Sequence, residues 1–161
     1  MRHAFPIAAI VAVSSIDQLT KAMAREALTL GRPVEVAPFF NLTLGYNEGV
    51  VFGMGADLGW GPWPLIVLTA TVAIGFSIWL FRETNNVIRG ALALLVGGAV
   101  GNLLDRVLRG AVTDFLDFHA GGVHWPSFNL ADSAIVVGVG CCQANANKSP
   151  VMAAASRCRL G

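Results

Sequence analysis

Residues 88–108 read IRGALALLVGGAVGNLLDRVL, an apolar run with a glycine-rich centre and a charged far end. A helix needs about 20 apolar residues to cross a bilayer, so this stretch predicts a membrane span. The small residues at 97–101 predict close packing against neighbouring helices. Asn102, Asp105 and Arg106 end the span, and a charge there costs at least ~2.5 kcal/mol on insertion scales, which indicates a functional site.

Three other apolar segments accompany this one, at about 4–24, 62–81 and 130–142 onward. The chain of 161 residues is 55% hydrophobic and only 13% charged, with a mean hydropathy of +0.62. This composition excludes an ordinary soluble domain and predicts a membrane protein with four helices. The first segment could also be a cleaved signal peptide, but the recurrence of apolar segments favours a membrane helix.

A short polar region separates the first two segments. Residues 33–45 read PVEVAPFFNLTLG and alternate between apolar and other side chains. Period-two alternation broken by proline and glycine is typical of short β-strands, so we expect a small extramembrane sheet at about 33–56. A glycine- and tryptophan-rich approach to the membrane follows it. Residues 109–129 are expected to form a polar and aromatic connection.

Alternation of the spans places four carboxylates at one membrane face. Asp17 lies near the end of the first segment, Asp105 near the end of the third, and Asp132 at the start of the fourth. Asp114 lies in the connection on the same face. Asp17 and Lys21 stand at i and i+4, so they share a helix face. A local ion pair near the membrane surface is the structural interpretation of this spacing, and a functional role is the other.

Two converging carboxylates suit peptide hydrolysis. Like charges a few ångströms apart cannot both ionise, so the pair holds one proton and offers an acid and a base together. The base deprotonates water, and the acid protonates the carbonyl oxygen. No cofactor is expected for this chemistry, and the three cysteines, all near the C-terminus, lack metal-ligand spacing.

Five short motifs, taken together and in order, resemble the lipoprotein signal peptidases, also called signal peptidase II. They are Asp17-Gln18-x-x-Lys21; Asn47-x-Gly49-x-x-Phe52-Gly53; Gly97-Gly98-Ala99-x-Gly101-Asn102-x-x-Asp105-Arg106; Val112-x-Asp114-Phe115; and Phe128-Asn129-x-Ala131-Asp132. Each motif is weak alone. Their order, and their register against the four apolar segments, make the resemblance specific over residues 17–132.

The resemblance implies a bacterial aspartic endopeptidase that cleaves the signal peptide from prolipoproteins just before a diacylglyceryl-modified cysteine. It assigns the catalytic pair to Asp114 and Asp132. It implies a membrane all-α core of four transmembrane helices, an extracytoplasmic β-cradle and a short amphipathic surface helix. Substrate-binding and supporting roles fall on Asp17, Asn47, Asn102, Asp105, Arg106 and Asn129.

Several of these residues also have a structural interpretation. Asp105 and Arg106 would form an interface ion pair. Asn102 and Asn129 would bond free backbone groups at helix ends, with Asn129 or Asp132 capping the fourth helix.

Two other functions remain open. A metal hydrolase would use His119 and His124, and it is disfavoured because the chain has no His-Glu-x-x-His motif. A proton-coupled transporter or channel would use the clustered acids, and it is disfavoured because the acids lie at one face and do not line a path.

The expected partners are lipid-modified prolipoproteins and membrane lipid, and a net charge of +1 gives no sign of nucleic-acid binding. We expect a multi-pass monomer in the bacterial inner (cytoplasmic) membrane, with the active site at the extracytoplasmic face. Lys and Arg residues divide almost evenly between the two faces, so charge barely favours a cytoplasmic N-terminus.

These expectations give a single membrane peptidase domain over residues 1–142 and an atypical polar tail over residues 143–161. The fourth apolar segment turns polar at Gln143, well short of the ~20 residues needed to span a bilayer. Real divergence and a frameshift in the coding sequence both predict such a break, and either puts the anchoring of Asp132 in question.

Overall fold

The computed structural model describes residues 3–49 and 62–147, and within these ranges the chain forms four helices and one four-stranded sheet. The predicted glycine- and tryptophan-rich approach, and the predicted β region beyond residue 49, fall largely outside the described residues. The helices are α1 (Ala4–Ala27), α2 (Trp63–Arg82), α3 (Asn86–Arg109) and α4 (Leu130–Ala146).

Three of these helices, α1, α2 and α3, are long and apolar enough to cross a membrane. Helix α3 lies at the centre and packs against the other three helices. Most of its apolar stretch is buried inside the protein, whereas most of α2 is exposed. The exposed apolar side chains of α1 and α2 fit a lipid environment, in which such surface carries no penalty.

Glycines on α3 allow the central helix to approach its neighbours closely. A side chain at Gly97 would meet Val13 of α1, and one at Gly98 would meet the Ala131 carbonyl oxygen of α4. A side chain at Gly101 would meet the Asp17 carboxylate. Helix association in lipid depends on close packing and on polar contacts between helices, and these glycines permit both.

Helix α4 begins at an asparagine cap and continues beyond the predicted break. It reaches Ala146, past the point at Gln143 where the sequence turns polar. Polar side chains do not interrupt backbone hydrogen bonds as proline does, so composition alone does not end the helix. At 17 residues, α4 is shorter than the other three helices.

The sheet is antiparallel, with strands in the order β1-β2-β3-β4. The strands are β1 (Val34–Ala37), β2 (Phe40–Asn47), β3 (Val112–Ala120) and β4 (Val123–His124). The first two match the predicted strand region. Residues 109–129 connect α3 to α4, as predicted. The sequence did not predict the strands within this connection, where β3 pairs with β2 and turns back at Gly121 and Gly122.

We predict that Gly98→Ala destabilises the helix bundle, because the new methyl group would press on the Ala131 carbonyl oxygen and on Ile135. Overpacking of this kind costs about 1–3 kcal/mol. The measurement is the thermal unfolding midpoint of detergent-purified protein, followed by tryptophan fluorescence.

The matched control is Gly90→Ala on the same helix, where an added methyl group would meet no atom within 4 Å beyond the adjoining residues and backbone of its own helix. This control should keep or slightly raise the midpoint, because alanine favours helix over glycine. Equal midpoints for the two variants would contradict close packing at Gly98.

Candidate active site

Helix α4 and strand β3 bring two carboxylates to one place. Asp132 lies in the first turn of α4, and Asp114 lies on β3 opposite Gly45. The side chain of Asn129 joins them. Its Nδ2 donates to Asp114 Oδ1 at 2.6 Å, and its Oδ1 accepts from the backbone N–H of Asp132 at 3.0 Å. A single asparagine therefore holds both acids in position.

Asn129 and Asp132 also form a capping box at the start of α4. The backbone N–H of Asp132 donates to Asn129 Oδ1, and reciprocally Asp132 Oδ2 accepts from the backbone N–H of Asn129 at 3.2 Å. The box satisfies two backbone donors that a helix start leaves free. The interpretation of Asn129 and Asp132 as helix caps is confirmed. While its side-chain oxygen caps α4, Asn129 also donates a hydrogen bond from its Nδ2 to Asp114.

Asn102 is the second amide at the site, and it is buried on α3. Its Nδ2 donates to Asp132 Oδ1 at 2.7 Å, and its Oδ1 accepts from Lys21 Nζ at 2.9 Å. Both carboxylate oxygens of Asp132 therefore receive an N–H donor. These two hydrogen bonds fix the position of the Asp132 carboxyl group.

A buried ion cluster adjoins Asn102. Lys21 Nζ lies 2.9 Å from Asp17 Oδ2 and 3.6 Å from Asp105 Oδ2, and none of the three side chains is exposed. Asp17 Oδ1 also accepts from the backbone N–H of Ala131 at 3.0 Å, which ties the cluster to α4. The predicted ion pair between Asp17 and Lys21 is confirmed, and it is buried inside the protein.

Asp105 pairs with cations other than Arg106. Its Oδ1 accepts from Arg109 at 2.9 Å, and its Oδ2 accepts from the backbone N–H of Thr113 at 2.9 Å. Among the described residues, Asp105 and Arg106 form no salt bridge, so the interface ion-pair interpretation is wrong. Adjacent residues on a helix point about 100° apart, and these two therefore face different neighbours.

Arg106 faces the two candidate catalytic acids. Its charge interacts with Asp132 and Asp114 as well as with Asp105. Its buried Nε has no hydrogen-bond partner in the described part of the chain. Arg106 and Asn102 also line a cavity of about 280 Å³ between α2, α3 and α4, whose other walls are mainly apolar. Asn102 and Arg106 therefore join the polar site to a cavity with mainly apolar walls.

Asn47 reaches the site through sheet pairing. It ends β2 opposite Val112, and its side chain hydrogen-bonds to Asp114. Its Oδ1 accepts from the backbone N–H of Gly49 at 2.8 Å, where a positive φ of 70° suits glycine. This turn orients the Asn47 amide at the end of the strand.

Burial raises the pKa of Asp114 to about 6. Hydrogen bonds from Asn129 and Asn47 lower it, while the negative charge of Asp132 raises it further. The two acids therefore have different environments: Asp114 is buried and has a raised pKa, and Asp132 has an N–H donor on each oxygen. Such a difference is the usual basis for separate acid and base roles.

The two histidines considered as metal ligands lie elsewhere on the sheet. His124 Nδ1 is 2.9 Å from Asp117 Oδ2, and its ring stacks on His119 with centroids 4.9 Å apart. Burial of Asp117 favours its neutral form, but hydrogen bonds from His124 and Asn41 outweigh this and lower its pKa. Residues 3–49 and 62–147 contain no group of three potential ligands arranged to hold a metal ion.

All eight sequence-predicted site residues are thus gathered around Asn102 and Asn129, although their catalytic and binding roles stay predictions. Sequence reasoning left Lys21 out of the site, and the signal that could have included it was its i, i+4 spacing from Asp17. It also missed two further polar contacts of Asp105, made by Gln18 and Thr113.

The helices and the buried carboxylates define a polytopic membrane protein with a polar site inside it, and comparisons identify the family. A family model described as Signal peptidase (SPase) II matches residues 9–146. A lipoprotein signal peptidase of Paraburkholderia phymatum is 47% identical over 130 residues, covering 80% of this chain and 78% of that protein. Another, of Coxiella burnetii, is 43% identical over 132 residues, covering 80% and 81%.

Solved structures agree. One described as a bacterial membrane enzyme at 1.9 Å resolution has a TM-score of 0.76 and 32% identity, covering 90% of this chain and 94% of that one. A second, at 2.3 Å resolution, has a TM-score of 0.73 and 31% identity. The chain belongs to the signal peptidase II family, and it is a membrane peptidase.

We predict that Asp114→Asn stabilises the protein at neutral and higher pH. A carboxyl whose pKa is raised by folding stabilises the fold below its ordinary pKa near 4, and that contribution is lost as pH rises through about 6. Asparagine keeps the Oδ1 acceptor for Asn129 and carries no charge. The thermal midpoint should therefore exceed the wild-type value at about pH 8 and match it near pH 4.

The control is Asp117→Asn on the same strand, for which the sign is reversed. Asp117 has a lowered pKa and so stabilises the fold above that value. Its replacement should lower the midpoint at neutral pH. A midpoint for Asp114→Asn that follows wild type at every pH would contradict the burial effect on Asp114.

Proposed function

We propose that this chain cleaves the signal peptide from diacylglyceryl-modified prolipoproteins, just before the lipid-modified cysteine, by water activation between Asp114 and Asp132. One observation carries the mechanism: Asn129 contacts both acids, while burial and the charge of Asp132 raise the pKa of Asp114 to about 6. One protonated and one ionised carboxyl, held side by side, are what two-aspartate hydrolysis requires.

The surroundings of the two acids assign their roles. Asp132 is the base, because Asn102 and the backbone N–H of Asn129 donate to its two oxygens and hold the carboxyl group in place at the start of α4. The N-terminus of α4 adds a favourable helix dipole. Asp114 is the acid, because its burial on β3 favours the protonated form.

The reaction then proceeds through a tetrahedral intermediate. Asp132 takes a proton from water as the water oxygen bonds to the scissile carbonyl carbon, and Asp114 gives its proton to the carbonyl oxygen. Asp132 next passes its proton to the leaving nitrogen, and the carbon–nitrogen bond breaks. Asp114 recovers its proton from the new carboxyl group, so both residues return to their starting states.

The cavity beside the acids supports an apolar substrate. Its walls come from α2, α3 and α4 and include Leu68, Val72 and Ile135. Its polar members are Thr69, Asn102 and Arg106, and the guanidinium group of Arg106 offers donors to a substrate carbonyl. An acyl chain or an apolar signal peptide would pack against such walls, and a peptide bond would lie at the polar end.

The proposed setting is the bacterial inner membrane, with the sheet and the active site at the extracytoplasmic face. Three long apolar helices support a membrane location. An N-terminus in the cytoplasm would put the end of α1, the end of α3 and the start of α4 on the outer side. The enzyme is proposed to act as a monomer on lipid-modified prolipoproteins, in contact with membrane lipid and without a cofactor or nucleic acid.

The transporter alternative draws no support from the geometry. Asp17, Asp105 and Asp132 cluster at one end of the helices and are linked by hydrogen bonds and ion pairs through Lys21, Asn102 and Ala131. A proton path would instead need acids spaced across the membrane.

We predict that Asp114→Asn and Asp132→Asn each reduce cleavage by about a hundredfold or more, because each removes one half of the proton cycle. The measurement is processing of a purified, lipid-modified prolipoprotein, read as a gel shift. Asp117→Asn is the control on the same strand, and it should retain near wild-type activity. Activity above about a tenth of wild type in either site variant would refute the dyad.

We also predict that an unlipidated precursor is cleaved far more slowly than its diacylglyceryl form. Burial of acyl chains supplies about 0.8 kcal/mol per methylene group, which gives recognition energy that a short cleavage motif lacks. Both precursors are compared under single-turnover conditions in the same micelles. Equal rates would leave a membrane aspartic peptidase without a lipid requirement.

A further inference from the structure

Lys21 is fully buried, yet it touches no atom of the two candidate catalytic acids at hydrogen-bond distance. Its Nζ contacts Asp17 at 2.9 Å, Asn102 at 2.9 Å and Asp105 at 3.6 Å. Burying an ammonium group is costly unless it is paired, and two carboxylates exceed what one cation needs. The contact with Asn102 is therefore the feature of Lys21 that charge pairing alone does not explain.

The side chain of Asn102 lies between the Lys21 ammonium group, which can only donate hydrogen bonds, and the Asp132 carboxylate, which can only accept them. The Lys21 ammonium group has three donors and no acceptor, whereas an ionised carboxylate such as Asp132 only accepts. An amide can satisfy both only in one orientation, with its oxygen towards Lys21 and its nitrogen towards Asp132. The distances of 2.9 Å and 2.7 Å describe that orientation.

Asn129 is oriented in a different way. Its Oδ1 accepts from the backbone N–H of Asp132, and this fixes its Nδ2 towards Asp114. The backbone provides the orienting donor for Asn129. For Asn102, the short contact comes from the Lys21 side chain, while Asn129 Nδ2 is 3.3 Å away and is shared with two other acceptors.

We propose that Lys21 is a positioning residue for the peptidase reaction, which fixes the amide of Asn102 so that its nitrogen donates to Asp132. The proposal rests on the proposed function. Without the ammonium group the amide can turn and present its oxygen to Asp132, where two acceptors would repel. Asp132 would then lose the N–H donor on its Oδ1 and would be less well positioned to take a proton from water.

Other charges surround this link and act on its members. Asp17 and Arg25 lie on α1, Asp105 and Arg109 on α3, and Arg106 on α3 facing Asp132 and Asp114. A test must therefore separate the specific link through Asn102 from a general change of buried charge. A double-mutant cycle does so, because it isolates the coupling between two side chains.

The experiment measures kcat and KM for a lipid-modified prolipoprotein with wild type, Lys21→Met, Asn102→Ala and the double variant. Lys21→Met should lower kcat by about tenfold with little change in KM, and by less than about twofold when Asn102 is already alanine. Loss of equal size in both backgrounds, or a change confined to KM, would overturn the proposal.

Ser14→Ala is the matched control. Ser14 Oγ donates to the Gly97 carbonyl oxygen at 2.9 Å in the same α1–α3 interface, without a link to Asn102. This variant should leave kcat unchanged. If it lowered kcat as much as Lys21→Met does, general loosening of the interface would explain the effect and the proposal would fail.

Two further measurements cover variants that do not fold or do not turn over. If Lys21→Met fails to accumulate, kcat is compared between Asp17→Asn and the double variant Asp17→Asn/Lys21→Met. In this background the Lys21→Met change removes the cation beside a partner that is already neutral.

The second measurement is the NMR signal of the Asn102 side-chain amide in ¹⁵N-asparagine-labelled protein, assigned by its absence in Asn102→Ala. Lys21→Met should shift this signal and Ser14→Ala should not. An unshifted signal would refute the link.

The NMR result also separates the two proposals. A shifted amide signal together with unimpaired cleavage by Asp114→Asn or Asp132→Asn would defeat the proposed function and leave the link between Lys21 and Asn102 standing. Impaired cleavage in those variants with an unshifted amide signal would defeat only the role of Lys21.

Discussion

The close approach of α3 to α1 and α4 is the constraint on which the rest of the structure depends. At Gly97, Gly98 and Gly101 a single added carbon would collide with the neighbouring helix or with Asp17. Because the backbones come this near, Asp17 reaches the Ala131 N–H and Lys21 reaches Asn102. Larger residues at these points would separate the helices, and the polar contacts between them would be replaced by unsatisfied buried groups, which are costly in a membrane.

The polar contacts between these helices fix the relative positions of the helices as well as joining them. One fully buried cation lies between two fully buried carboxylates, and each member also bonds to an amide or a backbone group. A buried ion pair contributes little net stability once desolvation is counted, and removing one partner is strongly destabilising. The benefit of the cluster is therefore specificity: it fixes the relative positions of α1, α3 and α4, and so the place where Asp132 begins its helix.

The contacts that position the two candidate catalytic acids also stabilise the fold. Asn129 caps α4 and in doing so holds Asp114, so the start of a helix and the position of a strand are set by one side chain. The two acids acquire different characters from their surroundings. Asp114 is buried on the sheet and has a raised pKa, while Asp132 lies at a helix N-terminus with donors on both oxygens. This difference supports the proposed roles of Asp114 as acid and Asp132 as base in a peptidase of the signal peptidase II family.

The sequence by itself determined the apolar helices, the short strands between residues 34 and 47 and the small-residue face of α3. It also determined the convergence of the acids at one end of the bundle. Each of these features depends on spacing within short segments and on their order along the chain. It also determined the ion pair of Asp17 with Lys21. It did not determine that residues 112–120 form a strand, since β3 is specified by pairing with β2, far away in the chain, and its buried positions lack a clean alternation. Nor did it reveal that Asp105 bonds to Arg109 and Thr113, or that Lys21 reaches Asn102. Those contacts depend on how helices rotate and approach one another, and only the packed tertiary structure decides that geometry.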